Sequence, residues 1–281
     1  MLYLLIAIVS NALVSLTMRF GEGRFRNRMG MLMTNYVVCS SLGFFFWKTG
    51  ENASISGEKG LAFAILFGAV TGVAYLLCLT LLQRNIKSNG VVLAATFMKM
   101  GVLVPTLAAV TVFGEKPRAI QILGFAIAVG AILLISGKKD SKQKANKKAL
   151  LLLLLVISGT ANTMVNVFDK WGVRAYKDLF LFCIFAMACL CACFLWLRDE
   201  KHLCGWDLAI GAVLGIPNYF ASRFLLHALR QVPAVITYPM YSAGTLVVIT
   251  LVGVFCFKEK LDKRKTGALT LILLSLVLLN L

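Results

Sequence analysis

Acidic residues are scarce: 12 Asp and Glu stand among 281 residues, against 29 Lys and Arg. All twelve fall in loops or at the ends of apolar runs, so a cation inside such a run is expected to find no carboxylate at its own depth. Charged residues of every kind make up 15%, against about 25% in an ordinary soluble domain, which excludes a polar-surfaced globular protein. No glycine-rich loop ends in Lys-Ser or Lys-Thr, so nothing suggests ATP-driven work. Serine chemistry also lacks its parts. Val156-Ile157-Ser158-Gly159 misses the flanking glycine of a rhomboid-like motif, and His227 is the lone histidine in an apolar run. No enzyme activity, catalytic residue, cofactor or metal is therefore expected.

What is present is apolar: hydrophobic residues make up 59% of the chain. The net charge of +17 comes mainly from short stretches between apolar runs, as in loops near lipid headgroups, and no basic helix with interleaved aromatics points to nucleic acid. Most of the 8 cysteines lie in or beside apolar runs and read as small buried hydrophobes. Cys189, Cys191 and Cys193 each turn about 200° from the last on a helix, so they cannot converge on one metal ion. No basic region precedes the run beginning at Leu2, so a signal peptide is not expected and the first segment should stay.

A bilayer core of about 30 Å takes roughly 17–25 apolar residues per helix. Ten runs meet this, at about 2–18, 29–47, 60–82, 90–113, 118–136, 148–168, 178–197, 206–229, 233–257 and 265–281. The fold class expected is all-α integral membrane. Residues 1–137 hold the first five helices, the lysine-rich stretch 138–147 is a linker, and 148–281 hold the second five.

The halves echo one another. Gly68-Ala69-Val70-Thr71-Gly72 returns as Gly211-Ala212-Val213-Leu214-Gly215, and Gly114-Glu115-Lys116 as Lys258-Glu259-Lys260. Asn11, Ser15 and Arg19 likewise return as Asn162, Asn166 and Lys170. Five helices per half is an odd number, so the second half enters the membrane from the opposite side, giving two inverted five-helix repeats. Such a pair suits alternating access, in which one half moves against the other around a shared site. The paired glycines are expected to let helices approach closely, and Glu115 and Glu259 to make structural helix-end contacts. Loops after odd-numbered helices carry about nineteen cations against about eight in the others, which places both termini outside the cytoplasm.

Phe113-Gly114-Glu115-Lys116-Pro117, followed by Gln121-Ile122-Leu123-Gly124, with the weaker repeat Phe257-Lys258-Glu259-Lys260 and Gly267, resembles the signature of the drug/metabolite transporter superfamily, in its ten-helix EamA-like branch. The resemblance covers almost the whole chain, although Lys258 replaces the second glycine. It implies an inverted five-plus-five repeat in which the first four helices of each half surround a cavity, and a bacterial inner-membrane location. It also implies cytoplasmic termini, opposite to the charge count, and both orientations stay open.

Two cations lie well inside apolar runs, Lys99 and Arg223, and each costs about 2.5–3.5 kcal/mol on insertion scales. Lys99 is about 14 Å from either end of its run, a poor distance for snorkelling. Tyr219, Arg223 and His227 form one helical stripe, and Thr96 precedes Lys99 by one turn. Helix nine adds Tyr241 near Pro239, which either kinks the helix or frees a carbonyl for a ligand. The candidate substrate-binding residues are thus Lys99, Arg223, Tyr219, Tyr241, Asn11, Asn162, Asn166 and Thr96. His227 is the candidate for proton coupling, since histidine titrates near neutrality, with exchange or facilitated diffusion as equal alternatives. The function expected is secondary transport of a small polar anion bearing a carboxylate or phosphate. Export of neutral amino-acid-like or nucleoside-like metabolites or drugs in the same fold, and flipping of an anionic lipid carrier, are the alternatives. The partners expected are a small-molecule substrate and the lipid bilayer, not nucleic acid. A chain holding both halves needs no second copy, so a monomer is expected, with a dimer left open.

Overall fold

A computed structural model describes residues 1–21, 24, 26–50, 58–89, 97–136, 148–198, 203–255 and 263–280. Among them the regular structure is helical throughout: α1 (Leu2–Gly21), α2 (Arg28–Thr49), α3 (Glu58–Asn89), α4 (Leu103–Thr111), α5 (Ala119–Ser136), α6 (Lys148–Trp171), a 3-10 turn (Arg174–Tyr176), α7 (Lys177–Arg198), α8 (Gly205–Leu229), α9 (Ala234–Phe255) and α10 (Lys263–Asn280). Five stretches are long and apolar enough to cross a bilayer: Arg28–Thr49, Gly60–Leu82, Ala149–Trp171, Arg174–Arg198 and Gly205–Leu229. Leu2–Met18, Phe97–Thr111, Ala119–Ala131 and Ala234–Ile249 are apolar but shorter. Large side chains such as Leu66, Leu190, Phe194 and Phe255 stay exposed on these helices, which is compatible with a multi-pass membrane protein.

Local chemistry sets the helix ends. Asn27 caps α2, its Oδ1 accepting from Gly30 N at 3.0 Å. Glu115 caps α9 from far away in sequence: its two carboxylate oxygens accept from Ala234 N at 3.2 Å and Val235 N at 2.9 Å. The turn that delivers it passes through Gly114 at φ +64, a left-handed conformation that favours glycine.

Two expected runs end differently in the structure. The run 60–82 continues as helix to Asn89, because hydropathy marks lipid contact and not helicity. Asn85 secures that extension by donating from Nδ2 to Leu81 O at 2.9 Å and to Leu150 O at 3.0 Å. Within the run 90–113 the described residues start at 97, and the helix breaks at Gly101-Val102. Pro105 is the cause: without an N–H it cannot bond back to Gly101, and it is accommodated in the first turn of α4. Gly101 N instead reaches Phe97 O and Met98 O, both at 3.2 Å, and Val102 N reaches Lys99 O at 3.3 Å.

The chain divides into two compact units, and each draws on both sides of residues 138–147. One comprises Leu77–Thr163 and Ala228–Leu281 with Met1; the other comprises Leu2–Leu76 and Met164–His227. In the second unit α2 packs on α7. Gly43 meets Phe182 and Tyr36 meets Phe185, so the two helices run antiparallel. Gly68 and Gly72 of α3 lie against Phe180, Cys183 and Ile184 of α7, while Gly211 and Gly215 of α8 lie against Met31, Asn35 and Val38 of α2. A Cβ on Gly68 would come within 2.8 Å of Cys183 Cβ, and one on Gly215 within 2.6 Å of Val38 Cβ. The repeated glycines therefore do what small residues do in membranes, letting two backbones approach until their carbonyls touch the neighbouring helix. In the first unit α5 packs on α10 with Gly124 against Leu278 and Leu279, and α4 packs on α9.

Candidate functional site

Within the unit holding Leu2–Leu76 and Met164–His227, polar groups converge on Arg223, in the last third of α8. Its Nη1 donates to Tyr219 Oη at 2.8 Å, one turn earlier, and lies 3.1 Å from Asp178 Oδ1. The guanidinium carbon sits 4.0 Å from the centre of the Phe46 ring, a cation–π distance, and Tyr219 stacks on the same Phe46 at 5.7 Å. Only 16% of the Arg223 side chain and 12% of the Asp178 side chain are exposed, so the pair is largely desolvated. Asp178 Oδ2 faces Gly50, where an added Cβ would lie 3.5 Å from it. Beside the pair, Lys177 Nζ lies 3.3 Å from His227 Nε2, within hydrogen-bond distance. Tyr3 of α1 stacks on His227 with ring centres 5.2 Å apart.

This corrects one expectation. Arg223 does have a carboxylate partner, Asp178, at 3.1 Å. The reason lies in the topology: α7 and α8 are consecutive, so the start of one is level with the end of the other. Asp178 is in the first turn of α7, and Arg223 is six residues from the end of α8, roughly 9 Å at 1.5 Å per residue. A loop-end acid and a span cation thus meet. Asp178, Phe46, Lys177 and Tyr3 were not singled out from sequence; an acid in the first turn of the preceding helix was the signal for Asp178.

Two amides are buried in the same unit. Asn35 accepts at Oδ1 from Asn218 Nδ2 at 3.2 Å, and its own Nδ2 has no hydrogen-bond partner among the described residues. Asn166, 0% exposed, has no partner for either amide atom among the described residues. An unmet buried polar group costs about 1–3 kcal/mol. Asn11 is half-buried on α1, and its carbonyl accepts from Ser15 Oγ at 3.3 Å.

In the other unit, Lys99 is half-buried on the helical turn before the Gly101 break. Among the described residues no ion pair or hydrogen bond engages its ammonium; the thiol of Cys78 is within electrostatic range. The break is pressed against α6, where Ser158 Oγ donates to Met98 O at 3.2 Å. One turn on, Asn162 Nδ2 donates to Ser158 O at 3.0 Å and its carbonyl accepts from Tyr238 Oη at 2.6 Å. Tyr241 is half-buried on α9, and Thr245 donates to its carbonyl at 2.6 Å. Thr96 lies outside the described residues. The structure thus groups Tyr219, Arg223 and His227 in one unit and sets Lys99, Asn162 and Tyr241 in the other.

No family model matches the chain. It is 22% identical over 273 residues to an uncharacterised protein of Haemophilus influenzae, a similarity covering 92% of this chain and 91% of that one. One solved crystal structure superposes with a TM-score of 0.77 at 14% identity, covering 99% of this chain and 94% of its own, so the chain shares the fold of that protein over nearly its whole length.

Proposed function

We propose that this protein is a secondary membrane transporter that moves a small polar anion, bearing a carboxylate or phosphate, by alternating access. The observation that carries the reading is Lys99. It is a cation in an apolar helix, beside a proline-induced break, and the described residues offer it no carboxylate. At about 2.5–3.5 kcal/mol for such a residue, an anion supplied by the substrate is an economical compensation. Broken helices in transporters are where ligands are often held, and the nearness of Lys99 to the Gly101 break supports the reading.

The ten-span inverted repeat belongs to the same proposal. Its support is the packing of α2 on α7, α4 on α9 and α5 on α10. Each is a helix paired with the one five places later, an arrangement that a pseudo-two-fold between two five-helix halves can produce. The membership suggested by Gly114-Glu115-Lys116, in the drug/metabolite transporter superfamily, rests on that motif and this arrangement. A bacterial inner membrane is the location that membership implies. Thermal-shift screening of the purified protein against amino acids, nucleotides, sugar phosphates and organic cations tests the reading. Stabilisation by a carboxylate or phosphate class, lost in Lys99→Ala, is the expected result; stabilisation by organic cations alone would refute it.

A further inference from the structure

The connections α1–α2 and α7–α8 meet at one edge of the unit holding Leu2–Leu76 and Met164–His227. Asp207, 0% exposed, ties them together: its carboxylate accepts from Arg26 N at 2.8 Å and Asn27 N at 3.3 Å on one side, and from Cys204 N at 2.9 Å on the other. The acid is thus engaged by backbone N–H groups where α2 and α8 begin. Among the described residues no carboxylate pairs with the side chains of Arg24 or Arg26, and both arginines are exposed. Across residues 19–28 and 198–207, six Lys and Arg stand against four acids, Glu22, Asp199, Glu200 and Asp207, so this edge keeps a positive excess. Glu22, Asp199 and Glu200 lie outside the described residues.

Arg24 is held among aromatic rings. Its Nη1 donates to Phe20 O at 3.2 Å, at the end of α1, and its guanidinium carbon sits 3.9 Å from the centre of the Phe20 ring and 5.7 Å from that of Trp206. Phe20 is 56% exposed and Trp206 52%. The membrane-length stretches Arg28–Thr49 and Gly205–Leu229 both start here, so these rings stand at the boundary between hydrocarbon and water, where Trp and other aromatics meet lipid headgroups. A soluble anion would use the arginines alone. Exposed rings beside unpaired guanidinium groups at that boundary suit a molecule that carries a phosphate next to acyl chains. At the far end of α2, Lys48 lies 4.7 Å over Trp47 and 5.9 Å over Phe44, a similar cation–ring contact with no cluster of arginines beside it in sequence.

We infer that Arg24 and Arg26, beside Phe20 and Trp206, form a binding site for the headgroup phosphate of an anionic phospholipid. The headgroup sits on the arginines and the acyl chains run down past the exposed rings. A lipid bound there braces the α1–α2 connection against the start of α8, which Asp207 already joins.

The test is the melting temperature of the purified full chain in detergent with added phosphatidylglycerol, with phosphatidylcholine of the same acyl chains, or with glycerol phosphate. Phosphatidylglycerol should raise it by several degrees more than either of the others. The Arg24→Gln, Arg26→Gln double variant should lose that difference, while Lys48→Gln should keep it. Equal shifts from the two lipids in wild type overturn the site without needing any variant to fold. A shift from glycerol phosphate as large as that from phosphatidylglycerol makes the ligand a soluble anion and overturns the lipid. A difference that survives in the double variant, or vanishes in Lys48→Gln, places the lipid elsewhere and overturns the assignment.

Discussion

Arg223 and Asp178 depend on one another because both are largely removed from water, and a buried charge left alone is costly. Removing one partner of such a pair costs about 3–5 kcal/mol, whereas removing both leaves no orphan charge. The expected outcome is that Arg223→Leu and Asp178→Leu each lower the unfolding free energy in detergent by a few kcal/mol, and that the double variant loses clearly less than the sum. Strict additivity would mean the pair does not couple. Asn166 poses the reverse case, an amide with no partner among the described residues. Asn166→Leu should raise thermal stability while impairing transport; a fall in stability would show that the amide is satisfied after all. At this scale the sequence displayed the cations well and their partners poorly. Lys99 and Arg223 stand out against apolar neighbours, but a partner such as Asp178 becomes visible only when the end of one helix is set level with the start of another.

Helices report their causes more openly. The glycine pairs of α3 and α8 were legible as packing devices because a four-residue spacing puts both on one face, and the structure sets each against a neighbouring helix. Gly72→Val and Gly215→Val should each lower the melting temperature by several degrees, since the new side chains would press on Ile184 O in α7 and on Val38 and Asn35 in α2. Gly130 of α5 has nothing within 4 Å of an added Cβ, so Gly130→Ala should be neutral or slightly stabilising. Glu115→Ala should cost about 0.5–2 kcal/mol through loss of the α9 cap, read as a lower melting temperature. Helix ends were the least legible feature. The run at 90–113 showed no interruption because Gly101 and Pro105 sit among apolar residues, and hydropathy does not register a missing N–H.

For the whole molecule, doubling of the sequence and packing of the helices point the same way. Gly68-xxx-Gly72 serves α7 and Gly211-xxx-Gly215 serves α2, so the third helix of each half packs on the second helix of the other. A repeat exchanged in this manner is read from sequence as similarity, yet its packing partners appear only in three dimensions. What the repeat does not share is its charge: Lys99 stands opposite Ala243 or Ser242 in register, and Arg223 opposite Thr80 or Leu79. Those unmatched cations carry the functional reading, and Lys99, without a carboxylate among the described residues, carries most of it. The most direct test is uptake into proteoliposomes of the compound that best stabilises the purified protein, compared between wild type and Lys99→Ala. The account predicts uptake of a carboxylate or phosphate compound by wild type, and loss of at least tenfold in a folded Lys99→Ala protein. Equal uptake by the two proteins would contradict it.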